Sequence, residues 1–343
     1  MNVNSLQNIW NRLWFSQVST ASLCIFRIIF GFLVFASSLL LAPDITHFFG
    51  GNPIISIATI KAWSPNSFSL FFLLPPSDLT AISVYSALLI ASLCLCLGFH
   101  SRTSAIVTFV CLVSFHNRLP CIFNGADMLL RQQAFLLMLA PSGSMYSLDE
   151  RQNTKHRGDS GIIHSAWPLV LLQLQLASVY CQAFWTKALC PEWWDGRAIY
   201  YAGHLIEYSR IQMPAICNNL EFCRCLGWGT LAIELALWTL IWFKPARYFV
   251  LALGILLHGG IESVMSIGLF SYTMIASYAL FIDPQTIESV MRKILAKRSS
   301  FVSSFAGAGR LIGPVQMPFY NYSKFTLAKR VVSKLPERNT PSS

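Results

Sequence analysis

Charge is what this sequence has least of. Asp, Glu, Lys and Arg make up 12% of its 343 residues, about half the share usual in a soluble globular protein. Acidic residues are the scarcest, 15 against 25 Lys and Arg. A soluble domain of this length needs far more polar surface, so an ordinary cytosolic enzyme is excluded, as are a disordered chain and a collagen-like repeat. Sequence signatures for nucleotides and metals are missing as well. The chain has no phosphate loop, no dinucleotide fingerprint, no His-Glu-x-x-His pair and no Gly-x-Ser-x-Gly elbow. Its ten cysteines lack zinc spacing: Cys223-Arg-Cys225 has no second pair, and Cys94 and Cys96 lie inside an apolar run. Cys190, Cys217 and Cys223 fall in one expected external loop, where a disulfide is compatible with the sequence and its pairing is open. The formal net charge is +10, but no basic-aromatic or zinc-finger pattern accompanies it, so a nucleic-acid partner is not expected.

What is present is apolar. Hydrophobic residues reach 54%, with 25 Phe and 10 Trp, and the mean hydropathy is +0.52. The apolar runs are continuous and lack the alternation of a membrane barrel, which points to an all-α polytopic membrane protein in a lipid bilayer. Spans are expected at about 20–42, 79–98, 101–117, 124–140, 166–188 and 225–243. The block 247–282 is too long for one span, and His258-Gly259-Gly260 is taken as its break, giving about eight transmembrane helices. Residues 5–19 read as an interfacial amphipathic helix, with Leu6, Ile9, Trp10, Leu13, Trp14 and Val18 on one face. Asn66–Leu74 is apolar but too short to span and is expected along the outer interface. Three regions follow: an amphipathic helix at 1–19, the bundle at 20–283, and a basic amphipathic helix with a weakly ordered tail at 284–343.

The tail decides the expected orientation. Ten of the 25 Lys and Arg lie from Gln285 to Ser343. With eight spans, seventeen basic residues fall inside and five outside, which favours both termini in the cytoplasm of a cell (inner or plasma) membrane. Asp283 and Pro284 suit a helix start, and Ile287, Val290, Met291, Ile294 and Leu295 form an apolar stripe beside Arg292, Lys293, Lys297 and Arg298. Such a segment suits an anionic membrane surface.

Ionisable residues inside spans are costly, roughly 2.5–3.5 kcal/mol each on insertion scales. Arg27, Arg131, Lys187 and Glu234 stand out, and Glu262 follows the His258 break. Internal ion pairing that fixes helix order competes with function for Arg27, Arg131 and Glu234. Gln173, Tyr180 and Lys187 are seven apart and share one helix face, while Gln175 and Gln182 share another. A helix polar on two sides is enclosed by protein or lines a cavity. Position leaves Lys187 two readings: a side chain snorkelling to the interface, or a partly desolvated amine able to act as a base. His116, Asn117 and Arg118 cluster near Asn124, Asp127 and Arg131, with Asn124 best read as a helix cap.

These residues occur in an ordered pattern. It comprises Phe26-Arg27-x-x-Phe30-Gly31-Phe32-Leu33, Leu97-Gly98-x-x-x-Arg102-x-Ser104, Ser147-Leu148-Asp149, and Gln175 and Tyr180 through to Lys187. Trp194-x-Gly196, Glu234, and His258 followed by Ser266-Ile-Gly-x-Phe-Ser-Tyr272 complete it. The set resembles the HTTM (horizontally transferred transmembrane) domain, the membrane portion shared with vitamin K-dependent gamma-carboxylase, over about residues 22–283. The resemblance implies that Lys187 matches the base that activates reduced vitamin K. Oxygen then converts the hydroquinone to an alkoxide that takes a proton from a peptide glutamate. It also implies that His258 belongs to the catalytic region and that Arg27 and Glu234 match an arginine and a carboxylate position that hold the bundle. With the residue pattern, Gln173, Gln175, Tyr180 and Arg27 are taken as candidate quinone-contacting residues, and Arg131 and Glu234 as structural ion-pair residues. The chain departs from the carboxylase at Phe123-Asn-Gly-Ala-Asp127, where an asparagine-histidine segment is expected, and has no large luminal domain.

Three functions compete. The first is oxidation of reduced vitamin K or another quinol, with Lys187 and His258 catalytic and neither metal nor nucleotide required. The second is a non-catalytic membrane factor that helps mature or handle a secreted peptide. The third is an inert bundle in which Lys187 and Glu234 form a paired structural charge.

Overall fold

The computed structural model describes residues 3–153, 163–212 and 214–308. It divides the chain into two compact units, 1–289 and 290–343. The first unit begins with α1 (Val3–Trp14), whose Ile9, Trp10 and Leu13 are exposed. The expected helix over 5–19 is therefore shorter. Gln17 and Val18 leave it for β1 (Gln17–Ser19), which pairs antiparallel with β2 (Ile163–Ser165), Val18 opposite His164. Backbone pairing across more than a hundred residues outcompetes one further turn of local helix, a contest that periodicity alone does not register.

The bundle follows. Helix α2 (Ala21–Leu40) packs on α3 (Asp78–Leu97), α3 on α4 (Ser101–Arg118), and α4 on α5 (Gly125–Leu139). Helix α6 (Trp167–Ala188) pairs with α7 (Leu220–Thr239), and α7 contacts α8 (Lys244–Val264). A short α9 (Phe270–Ser277) touches α2, α5 and α8, and α10 (Pro284–Ala308) runs across the boundary between the two units. Local chemistry sets the ends. Ser77 caps α3 by accepting from Thr80 N. Asn124 caps α5, as read from the sequence, and Asp127 completes a capping box with it. Asn219 caps α7, which starts at Leu220, five residues before the expected 225, so Cys223 and Arg224 are helical and not in the loop. All ten cysteines are free; Cys223 Sγ donates to Cys217 O at 3.1 Å.

Among the described residues, five helical stretches are long and apolar enough to cross a membrane: Ala21–Phe49, Asp78–Leu97, Trp167–Ala188, Leu220–Trp242 and Lys244–Val264. The expected break at His258-Gly259-Gly260 is absent, since α8 runs unbroken from Lys244 to Val264. A side chain at Gly259 or Gly260 would meet nothing within 4 Å, and the helical ladder carries both glycines at the modest cost of their chain entropy. The chain turns instead at 265–269. Met265 is extended, Gly268 is left-handed at φ 64°, and a loop supplies partners for the freed backbone. Arg210 N donates to Val264 O at 2.9 Å and Ser266 N to Tyr208 O at 2.7 Å. The segment 66–74 is also more embedded than expected. Phe71 is buried against Phe49 and Phe115, with ring centroids 5.3 and 5.1 Å away, and Ser69 Oγ donates to Ser114 O.

Two ends can be distinguished. The ribbon joins the starts of α2 and α6, Ser22 Oγ donates to Ile282 O, and Arg247 Nη1 to Phe281 O. The starts of α2, α6 and α8 therefore share a ribbon end. The last residues of α4, α6 and α8 lie at the opposite end, named here for Lys187. Close approach of α2 and α3 depends on Gly31, where a Cβ would come within 2.8 Å of Cys96 Cα. Gly31→Ala is expected to lower stability by roughly 1–3 kcal/mol by forcing these backbones apart. A reduced melting midpoint in detergent is the readout, and an unchanged midpoint would show that the pair can shift freely.

Candidate functional site

The polar ridge of α6 meets three different elements. Gln173 Nε2 donates to Leu280 O at 2.8 Å. One turn pair later, Tyr180 Oη lies 2.8 Å from His258 Nε2 and 2.6 Å from Tyr278 Oη. Two turns beyond, about 10 Å along the axis, Lys187 Nζ donates to Glu234 Oε1 at 2.7 Å. The seven-residue spacing thus becomes a ladder of contacts with α7, α8 and the turn after α9. Tyr180, His258, Tyr278 and Glu234 are buried, whereas the Lys187 side chain keeps 22% of its exposure. Its Nζ sits 5.2 Å from the centre of the Trp193 ring.

Two atoms in this region have no hydrogen-bond partner among the described residues: His258 Nδ1 and Glu234 Oε2, both buried. An unmatched buried polar atom is expensive and calls for an explanation. Here the two flank a hydrogen-bonded chain of two phenols and an imidazole, beside an amine and a carboxylate. Such a set can hold and pass protons. Phe270 lies against the His258 ring, centroids 5.8 Å apart, and closes one side.

Sequence reasoning missed three participants. Tyr278 completes the hydrogen-bonded chain but stands in an apolar run with nothing to mark it. Gly254 makes room for it, since a Cβ there would fall 2.8 Å from Tyr278 Cζ. Its spacing of four from His258 put both on one face of α8 and was the available signal. Trp193 comes from a five-residue helix, Pro191–Asp195, held by Trp194 Nε1 donating to Ala188 O at 2.8 Å.

Three expected assignments need correction. Arg27 is not near this cluster. It is fully buried at the ribbon end, where Nη2 donates to Tyr146 O at 2.7 Å and Nη1 to Ser101 Oγ at 3.3 Å. Ser101 Oγ donates in turn to Asp149 at 2.7 Å, and Asp149 also accepts from His100 N and Ser101 N. Three separate sequence motifs, around Arg27, Gly98–Ser104 and Ser147–Asp149, converge in this knot. Gly98, at φ 70°, leaves space that Arg27 fills. The second correction concerns Arg131, which has no carboxylate within 4.0 Å among the described residues. Its Nη1 donates to Asn117 Oδ1 at 3.3 Å. Gln175 also faces away from the cluster, donating to Gln132 Oε1 on α5 at 3.0 Å. Glu262 pairs with Arg210 at the lysine end. Among the described residues no cluster of His, Cys, Asp and Glu could hold a metal ion.

Apolar helices of spanning length, with their charges paired or hydrogen-bonded, define an integral membrane protein of the helical class. Residues 15–285 match the HTTM domain, and the chain belongs to that family. No solved structure matches the chain.

Proposed function

We propose that this protein oxidises a lipid-soluble quinol of the vitamin K type, using the Lys187–Glu234 pair as the proton acceptor. The supporting observation is the pair's place beside the Tyr180–His258–Tyr278 chain, with His258 Nδ1 and Glu234 Oε2 left open. The polar set suits a quinol: its hydroxyls need acceptors, and a carboxylate oxygen and an imidazole nitrogen are at hand. When bound, the quinol supplies two electrons to oxygen and two protons to the protein, which passes them on to the reduced oxygen, so that quinol and oxygen become quinone and hydrogen peroxide.

The resting Lys187 is an ammonium held by Glu234 and Trp193 and cannot act as a base in that form. Transfer of one proton across the 2.7 Å bond to Glu234 leaves a neutral amine beside a neutral acid. Lys187 then takes a proton from a hydroxyl placed at the ridge. Tyr180 orients His258 through Nε2, which leaves Nδ1 to accept or return the second proton.

The test is a reconstituted assay that follows the quinol and its oxidised products with oxygen present. Tyr278→Phe keeps the ring and removes the hydroxyl that bonds Tyr180. It is expected to lower turnover by about tenfold to a hundredfold while the melting midpoint shifts little. Wild-type protein that leaves the quinol unchanged would overturn the reading. The alternative is a membrane factor that handles a secreted peptide. It is favoured by the exposed apolar side chains Leu205, Ile206, Tyr208, Ile211 and Ile216 in the loop between α6 and α7. Cross-linking of a small secreted peptide to this loop, with no quinol turnover, would support it.

A further inference from the structure

A second polar feature lies on the other side of α6, away from the Lys187 ridge. A groove of about 620 Å³ runs between α4, α5 and α6, within the roughly 300–1,000 Å³ range of small-molecule sites. Its polarity is graded along the helix axes. On α4, Asn117, Val113 and Phe109 are four apart and descend one face from the lysine end toward the middle of the bundle. On α5, Arg131 and Gln132 come first and Phe135 and Leu136 a turn further in. Charge and amides therefore stand above aromatic and aliphatic walls.

The polar part is rich in donors and lacks acid. Arg131 makes a single hydrogen bond among the described residues, to Asn117, which is itself fixed by donating to Phe68 O at 2.8 Å. Most of the five N–H bonds of a guanidinium are thus left over. No carboxylate lies within 4.0 Å of it among the described residues. The amide nitrogen of the exposed Gln132 has no partner among them either. A permanent cation in an apolar helix, without a counter-ion from its own chain, needs one from elsewhere. Helices α4 and α5 have 18 and 15 residues. They are shorter than the ~20 residues that span the hydrocarbon layer, so a headgroup reaches Arg131 by a modest descent.

We propose that this groove binds an anionic glycerophospholipid from the leaflet at the lysine end. The phosphate meets Arg131 and Gln132, and one acyl chain lies along Val113, Phe109 and Phe135. A guanidinium with donors left over binds a phosphate through charge-assisted hydrogen bonds. The site is separate from the quinol reading and stands without it.

The full-length protein, delipidated in neutral detergent, is to be titrated with phosphatidylglycerol or phosphatidylcholine of identical chains and read by native mass spectrometry. A phosphatidylglycerol carrying a diazirine on its acyl chain locates the bound lipid. Wild-type protein is expected to prefer phosphatidylglycerol by about tenfold, the scale of one charge-assisted contact. Arg131→Gln should remove most of that preference and Arg131→Lys should keep part of it. The basic tail contributes equally to all three, so the difference reports the groove. Phe135→Trp narrows the apolar part and should weaken both lipids together. It also provides a test if Arg131→Gln does not fold. Labelling should fall on peptides containing Phe109, Val113 or Phe135. Equal binding of the two lipids, an undiminished preference in folded Arg131→Gln, or labelling confined to other helices overturns the proposal.

Discussion

Lys187→Arg should keep the protein folded and stop quinol turnover. The guanidinium reaches Glu234 and preserves the pair, but it stays protonated and has no neutral form to offer a hydroxyl. Lys187→Ala should fail in both respects. It leaves Glu234, whose side chain is 8% exposed, without its partner. Removing one member of a fully buried pair costs roughly 3–5 kcal/mol, and the partial exposure of Lys187 reduces this to about 2 kcal/mol. The double change Lys187→Ala with Glu234→Leu should recover much of the melting midpoint and none of the turnover. Stability and activity thus move apart across three variants, and a structural role alone does not produce that split. Full turnover in Lys187→Arg would end the role of Lys187 as the base, since a guanidinium stays protonated.

The other large effect is expected far from this site. Arg27→Met should destabilise the protein by about 3 kcal/mol or more, because it strips the donors from the knot that joins α2 to Tyr146 and Ser101. Asp149 keeps its three hydrogen bonds but loses the nearby cation. The measurement is the yield and melting midpoint of purified protein, with quinol turnover per folded molecule beside them. A normal midpoint combined with a weakened apparent affinity for the quinol would return Arg27 to the quinone-contacting residues.

Sequence alone was enough for features governed by local composition and spacing. Long apolar runs define α2, α3, α6 and α7 because a backbone in lipid must satisfy its own hydrogen bonds. The cap at Asn124 follows from its place just before the apolar run of α5. The common face of Gln173, Tyr180 and Lys187 follows from the helical repeat. Sequence erred where distant chain segments compete for the same backbone. Gln17–Ser19 left its helix to pair with Ile163–Ser165, and α8 continued through Gly259-Gly260 to end where the 205–212 loop receives it.

Only tertiary structure decided which polar residues meet. Lys187 and Glu234 are 47 residues apart, Tyr180 and His258 78, and Tyr180 and Tyr278 98. No periodicity links positions on separate helices, so a shared face says that a residue points inward without saying toward whom. Arg27 and Arg131 show the consequence. Both are arginines in apolar helices, but one is consumed by backbone and hydroxyl partners at the ribbon end, and the other keeps its donors in a lateral groove. That difference arises from the rotation and depth at which each helix packs, which a one-dimensional pattern does not encode.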